Sequence, residues 1–64
     1  RSMVINKNNQ LITGHNNGEI LFWNIETGQR IRNLTGHQGA ILSLITNKDD
    51  TLISGSFDNT IRIW

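Results

Sequence analysis

The sequence predicts an all-β fold of antiparallel four-stranded units, with one unit complete and three strands of the next. Three observations carry this. Shifted by 41 residues, Arg1–Trp23 aligns without a gap on Leu42–Trp64, with eight identities in 23 positions: Ser2/Ser43, Asn6/Asn47, Lys7/Lys48, Leu11/Leu52, Ile12/Ile53, Gly14/Gly55, Ile20/Ile61 and Trp23/Trp64. A repeat of this length is one supersecondary unit that stacks on its neighbours. Within each repeat the apolar runs are short, rich in Ile, Leu, Val and Thr, and bounded by turn residues, as strands are. No stretch joins helical periodicity to capping residues, so no helix is expected.

The first repeat gives strands at Ser2–Ile5, Gln10–Gly14, Glu19–Asn24 and Gln29–Thr35. Their separators are Asn6-Lys7-Asn8-Asn9, His15-Asn16-Asn17-Gly18 and Glu26-Thr27-Gly28. Asn17-Gly18 is a tight-hairpin signal, because both residue types tolerate positive φ. The second repeat gives strands at Ala40–Thr46, Thr51–Ser56 and Thr60–Trp64, separated by Asn47-Lys48-Asp49-Asp50 and Phe57-Asp58-Asn59. Connections this short join antiparallel neighbours. Four strands per period of about 40 residues is the arrangement of a propeller blade.

Composition narrows the function classes. A chain of 64 residues leaves room for one small domain, and a chain of this size buries only about 60% of its unfolded surface. It has no Cys, so no disulfide staples it, and its two His are too few for a structural zinc site. The absence of Cys fits an intracellular setting. No apolar run is long enough to span a membrane, and the first residues carry no signal-peptide pattern. A net charge of +1, with six basic and five acidic residues scattered along the chain, argues against a nucleic acid or anionic membrane held by bulk charge.

A resemblance rests on particular residues. Gly36-His37, followed by Leu52-Ile53-Ser54-Gly55-Ser56-Phe57-Asp58-Asn59-Thr60-Ile61-Arg62-Ile63-Trp64, resembles the WD-repeat (tryptophan–aspartate) β-propeller family. Trp23-Asn24-Ile25-Glu26-Thr27-Gly28 is similar to the family's Trp-Asp link into an outer strand, with Asn24 where Asp is commonest. The resemblance covers nearly the whole chain. It implies blade one at 1–35, strands a–d, and blade two at 36–64, strands a–c. It also implies a structural tetrad of His37, Ser54, Asp58 and Trp64: Trp64 donates to Ser54, Ser54 bonds His37, and His37 bonds Asp58. The residue chemistry suits that order, since indole only donates, hydroxyl and imidazole do both, and carboxylate accepts. The counterparts in blade one are Thr13, Asn17 and Trp23, a degenerate tetrad. Its Gly-His would precede residue 1 and Asn17 cannot end the chain as a charged acceptor, so a weaker network or none is expected there.

Ser54, His37 and Asp58 are also the residue types of a catalytic triad, but triads are recognised by geometry. The repeat context favours the buried tetrad, whose hydroxyl is already engaged. No catalytic, cofactor-binding or metal site is expected, and His15 and His37 are too far apart in the chain to suggest a metal pair. His15 is expected to be an exposed loop residue. Gly14-x3-Gly18 has neither the Lys nor the helix of a phosphate loop. Arg30 and Arg32 flank Ile31 on the outer strand, where alternation puts both on one face and where charge blocks edge-to-edge pairing. The sequon Asn33-Leu34-Thr35 is read as silent. Phe57, in a tight turn, has a polar counterpart in Asn16, so no packing demand fixes an aromatic there. With Gln38, these are the candidate partner contacts.

The function expected is a non-catalytic protein-interaction scaffold in which rigid blades present rim loops to protein partners. The alternative is a self-assembling blade unit, natural or engineered, whose copies form a ring. A nucleic-acid-binding propeller is less favoured, and an enzyme is not expected: the inner-strand segments Ser2–Ile5 and Ala40–Thr46 carry no Asp, Glu, His or Lys. Partners are proteins, together with neighbouring blades of a longer chain or copies of itself, and no membrane. The setting expected is intracellular, cytoplasmic or nuclear. At about 1.6 repeats the chain reads as a segment of a longer propeller in preference to a ring-forming unit.

Overall fold

The computed structural model describes residues 2–64; Arg1, where the expected blade one begins, lies outside the described residues. Seven strands follow in order: β1 (Met3–Ile5), β2 (Gln10–Gly14), β3 (Ile20–Asn24), β4 (Arg30–Leu34), β5 (Ile41–Thr46), β6 (Leu52–Ser56) and β7 (Ile61–Ile63). They form a four-stranded sheet ordered β1-β2-β3-β4 and a three-stranded sheet ordered β5-β6-β7, antiparallel throughout. There is no helix among the described residues.

Four within-sheet hairpins share one design. In each, the N–H of the first turn residue donates to the carbonyl four residues on, and its carbonyl accepts from the fourth: Asn6 with Gln10 and Asn9, His15 with Glu19 and Gly18, Asn47 with Thr51 and Asp50, Ser56 with Thr60 and Asn59. The fourth residue takes positive φ every time: Asn9 63°, Gly18 88°, Asp50 65° and Asn59 71°. This is the pattern of a type I turn closed by one left-handed residue. It explains why Gly, Asn and Asp occupy those positions. It also corrects the reading of Asn17-Gly18, since only Gly18 takes positive φ. Asn6 and Asn47 reinforce their turns in the same way: each carboxamide oxygen accepts the N–H two and four residues on.

The sheets meet face to face. Val4, Ile12, Ile20 and Phe22 lie on one face of the first sheet, and Ile41, Leu44, Leu52 and Trp64 pack against them from the second. Ile12, Ile20 and Ile41 are essentially sealed from solvent, and burying each such side chain is worth roughly 1.5–3 kcal/mol. Gly14 is part of this contact, because a Cβ there would run into the Ile41 side chain. At one end Lys7 ties the sheets together: its N–H donates to Asp50 Oδ1 at 3.1 Å and its ammonium to the Lys48 carbonyl.

One expectation about the outer strand is corrected. The register shifts at Phe22/Trp23, so Arg32 pairs with Phe22 and Arg30 with Trp23. The bulge leaves Ile31 out of the ladder and breaks the alternation that would have put both arginines on one face. Arg32 then stacks its guanidinium 4.3 Å from the Phe22 ring centroid, a cation–π contact at the mouth between the sheets.

Candidate functional site: a buried polar chain and the rim it stiffens

Ser54 sits mid-strand in β6 and is fully buried. It pairs with Arg62 across the ladder. Trp64, just past β7, donates its indole Nε1–H to Ser54 Oγ at 2.9 Å. Ser54 Oγ in turn lies 2.7 Å from His37 Nε2, and His37 Nδ1 lies 3.2 Å from Asp58 Oδ2. Donor and acceptor chemistry gives this chain one direction. Indole can only donate and an ionised carboxylate can only accept, so the Ser54 oxygen accepts from Trp64 and, with a neutral imidazole facing Asp58, its hydroxyl hydrogen goes to Nε2. That assigns the imidazole proton to Nδ1, where it faces the Asp58 carboxylate. The four residues come from the β4–β5 connection, β6, the β6–β7 turn and the end of β7, so the chain knits the second sheet to the loop that enters it.

Asp58 collects more donors than the sequence reading gave it. The Thr60 hydroxyl donates to Oδ1, the Gln38 N–H to Oδ2 at 2.8 Å and the Thr60 N–H to Oδ1 at 2.9 Å. These bonds, led by the Thr60 hydroxyl and the Gln38 N–H, favour the ionised form and hold the carboxyl well below its ordinary range. Thr60 Oγ1 also lies 3.2 Å from His37 Nδ1, so it bridges ring and carboxylate. Ser56 does parallel work: its hydroxyl donates to the Gly39 carbonyl at 2.9 Å and accepts the Asp58 N–H at 3.1 Å. Thr60 and Ser56 were missed as site residues. Each stands two residues from Asp58: the Ser56 hydroxyl accepts the turn backbone N–H, as hydroxyls in turns do, and the Thr60 hydroxyl meets the carboxylate itself.

The first sheet handles the same problem differently. Trp23 Nε1–H donates to Thr13 Oγ1 at 2.9 Å, and Thr13 Oγ1 lies 2.7 Å from His15 Nε2. The histidine comes from inside the β2–β3 hairpin, two residues along from Thr13. His15 is therefore half-buried and engaged, not the exposed loop residue expected. Asn17 takes no part in that chain; its carboxamide oxygen accepts the Glu19 N–H at 3.0 Å, as Asp58 Oδ1 does from Thr60. The structure thus joins Thr13 and Trp23 and leaves Asn17 to the turn.

Three turns converge at this end of the molecule. The His15 carbonyl accepts the Ile41 N–H at 3.1 Å, and the Ala40 carbonyl accepts the Phe57 N–H at 2.8 Å. Gly18 fits against the His37 carbonyl so closely that a Cβ would collide with it. Asn16, Gln38 and Phe57 all stand exposed on these linked turns, Phe57 with 74% of its surface open. The Phe57 ring is thus held on a short turn that the Asp58, Ser56 and Gly39 bonds fix from below.

Chemically, the Ser–His–Asp arrangement is closed. The Ser54 oxygen has no exposed surface and is capped by the indole donor, so no substrate carbonyl can approach it. Among the described residues no group of three or more His, Cys, Asp or Glu is placed to hold a metal ion, and no helix is long and apolar enough to cross a membrane.

Comparison with known proteins agrees with this geometry. The WD domain, G-beta repeat family matches residues 28–64. That match takes β4 from the first sheet and β5–β7 from the second, so the family's sequence unit straddles both sheets. The chain is 47% identical over 47 residues to the periodic tryptophan protein 2 homolog of Schizosaccharomyces pombe, covering 72% of this chain and 6% of that protein. It is 41% identical over 56 residues to the human WD repeat and SOCS box-containing protein 1, covering 84% of this chain and 13% of that protein. The chain therefore spans a small part of the length of these relatives. Among solved structures, the computationally designed Ika4 protein superposes with a TM-score of 0.82 at 35% identity, covering 98% of this chain and 38% of that one. With the repeat, the two antiparallel sheets and the match over residues 28–64, the chain belongs to the WD-repeat family.

Proposed function

We propose that this chain is a non-catalytic protein-interaction scaffold, with residues 1–35 as one blade and 36–64 as strands a–c of the next. The observation that carries it is Phe57: a large aromatic, 74% exposed, on a turn that hydrogen bonds hold rigid. An exposed aromatic on a pre-organised turn makes a binding anchor, because little freedom is lost when a partner covers it. Gln38 and Asn16 flank it with amide groups able to donate and accept at the margin of a contact. The His37–Ser54–Asp58–Trp64 chain acts structurally in this role, by fixing the turn that carries Phe57. An intracellular setting, cytoplasmic or nuclear, goes with the role, and imaging of a tagged chain checks it.

The test compares proteins co-purifying with the wild type and with Phe57→Ser from the same cells, with circular dichroism to show that the fold is kept. A defined set of proteins bound by the wild type and lost with Phe57→Ser is expected. Identical sets for two equally folded proteins would overturn the assignment of the anchor.

A further inference from the structure

Of the nine asparagines in the chain, Asn17 alone is followed by glycine. The pair stands in the β2–β3 turn, with Asn17 exposed and Gly18 at φ of 88°. A side-chain carboxamide can be attacked by the main-chain nitrogen of the next residue, which closes a five-membered ring. A Cβ on that next residue crowds the approach, and glycine has none.

The turn adds a second element. The Glu19 N–H donates to Asn17 Oδ1 at 3.0 Å. Attack at Asn17 Cγ moves negative charge onto that oxygen, and a donor already aimed at it stabilises the charge. The Gly18 N–H donates to the His15 carbonyl at 3.1 Å, so its nitrogen reacts when that bond opens. The chain of Trp23, Thr13 and His15 makes no use of the Asn17 carboxamide, so it survives the loss of that group.

We propose that Asn17–Gly18 is a self-modifying site, at which Asn17 loses ammonia and becomes aspartyl or isoaspartyl. The Gly18 nitrogen bonds to Asn17 Cγ, and the carboxamide nitrogen leaves as ammonia, taking the proton that Gly18 gives up. Water then opens the cyclic imide. Cleavage at Cγ gives the aspartyl product, and cleavage at the Asn17 main-chain carbonyl gives the isoaspartyl product, whose backbone runs through Cγ.

The two products treat the turn differently. The aspartyl product keeps an oxygen for the Glu19 N–H, as Asp58 Oδ1 accepts from the Thr60 N–H. The isoaspartyl product adds a methylene to the main chain next to Gly18. Gly18 already fits against the His37 carbonyl with no room for a Cβ. The longer turn therefore displaces the β4–β5 connection that carries His37, and with it the polar chain to Ser54 and Trp64. The site does not depend on the scaffold reading.

The test ages the folded 64-residue chain in mildly alkaline buffer and maps its peptides by mass spectrometry. Methyl transfer by an isoaspartyl methyltransferase marks the isoaspartyl product. Replacement of the amide NH2 by OH is expected at Asn17 ahead of every other asparagine. It is expected to be lost from this turn in Asn17→Ser, which keeps a hydroxyl to accept the Glu19 N–H but has no carboxamide. The aged isoaspartyl fraction is expected to exchange its Trp64 indole N–H faster than fresh chain, while freshly prepared Asn17→Asp matches fresh chain. Asn17→Ser takes over that comparison if circular dichroism shows Asn17→Asp unfolded. A chain that ages without conversion at Asn17, or converts equally at several asparagines, overturns the proposal. So does an isoaspartyl fraction whose indole exchanges no faster than that of fresh chain.

Discussion

Ser54 is the residue on which the polar chain turns. Its oxygen accepts from Trp64 and its hydrogen goes to His37, so one hydroxyl satisfies a half-buried indole and a buried imidazole. Removing one member leaves its partner unsatisfied, at about 1–3 kcal/mol. Trp64→Phe keeps most of the ring but loses the N–H, and is expected to lower the unfolding free energy by about 1–2 kcal/mol in urea titration. Asp58 makes the site sensitive to acid. Its carboxyl is held below its ordinary value of 3.8 by the Thr60 hydroxyl first and the Gln38 N–H next. A lowered folded pKa stabilises the fold fully above the unfolded value and progressively less as pH falls beneath it. Urea midpoints from about pH 5 to about pH 2 are expected to fall in the wild type, and less steeply in Asp58→Asn, which has no carboxylate to protonate. The residue types His37, Ser54, Asp58 and Trp64 could be picked out in the sequence because they fill a spaced motif. Thr60 could not, because its place on Asp58 depends on the left-handed residue Asn59 bringing the chain back.

At the scale of elements, the hairpins decide where side chains end up. Strand positions were legible because alternating apolar residues and Asn- or Gly-bearing separators mark them; the observed strands are the expected ones, most of them a residue shorter at an end. The bulge at Phe22/Trp23 was not legible, because nothing in Arg30-Ile31-Arg32 distinguishes a bulged strand from a regular one. Nor was the His15 bond, which needs the Thr13 and His15 side chains to meet where strand passes into turn. Two glycines separate backbone strain from crowding. Gly28 has φ of 75° with open space around it, whereas Gly18 has φ of 88° and the His37 carbonyl against it. Gly28→Ala is expected to cost about 1 kcal/mol, the left-handed penalty alone, and Gly18→Ala clearly more, since the β4–β5 connection must also move. Thermal unfolding of the two variants side by side checks the order.

Across the whole molecule, neither sheet has a core of its own. Ile12, Ile20 and Phe22 from one meet Ile41, Leu44 and Leu52 from the other, and the polar chain hangs on the second sheet's contact face. The polar chain therefore depends on residues far from it in sequence. Ile20 is fully buried in the first sheet, and Ile20→Ala is expected to lower stability by about 2–4 kcal/mol through the cavity it leaves. The most direct test is hydrogen exchange of the Trp64 indole N–H, followed by NMR in the wild type and in Ile20→Ala. If the two sheets open as one unit, the indole exchanges faster in Ile20→Ala by the factor that the measured loss of stability dictates, tenfold for about every 1.4 kcal/mol. An indole exchange rate unchanged by Ile20→Ala, in a variant shown to be destabilised, would contradict a shared core and mean that the second sheet holds its tetrad alone.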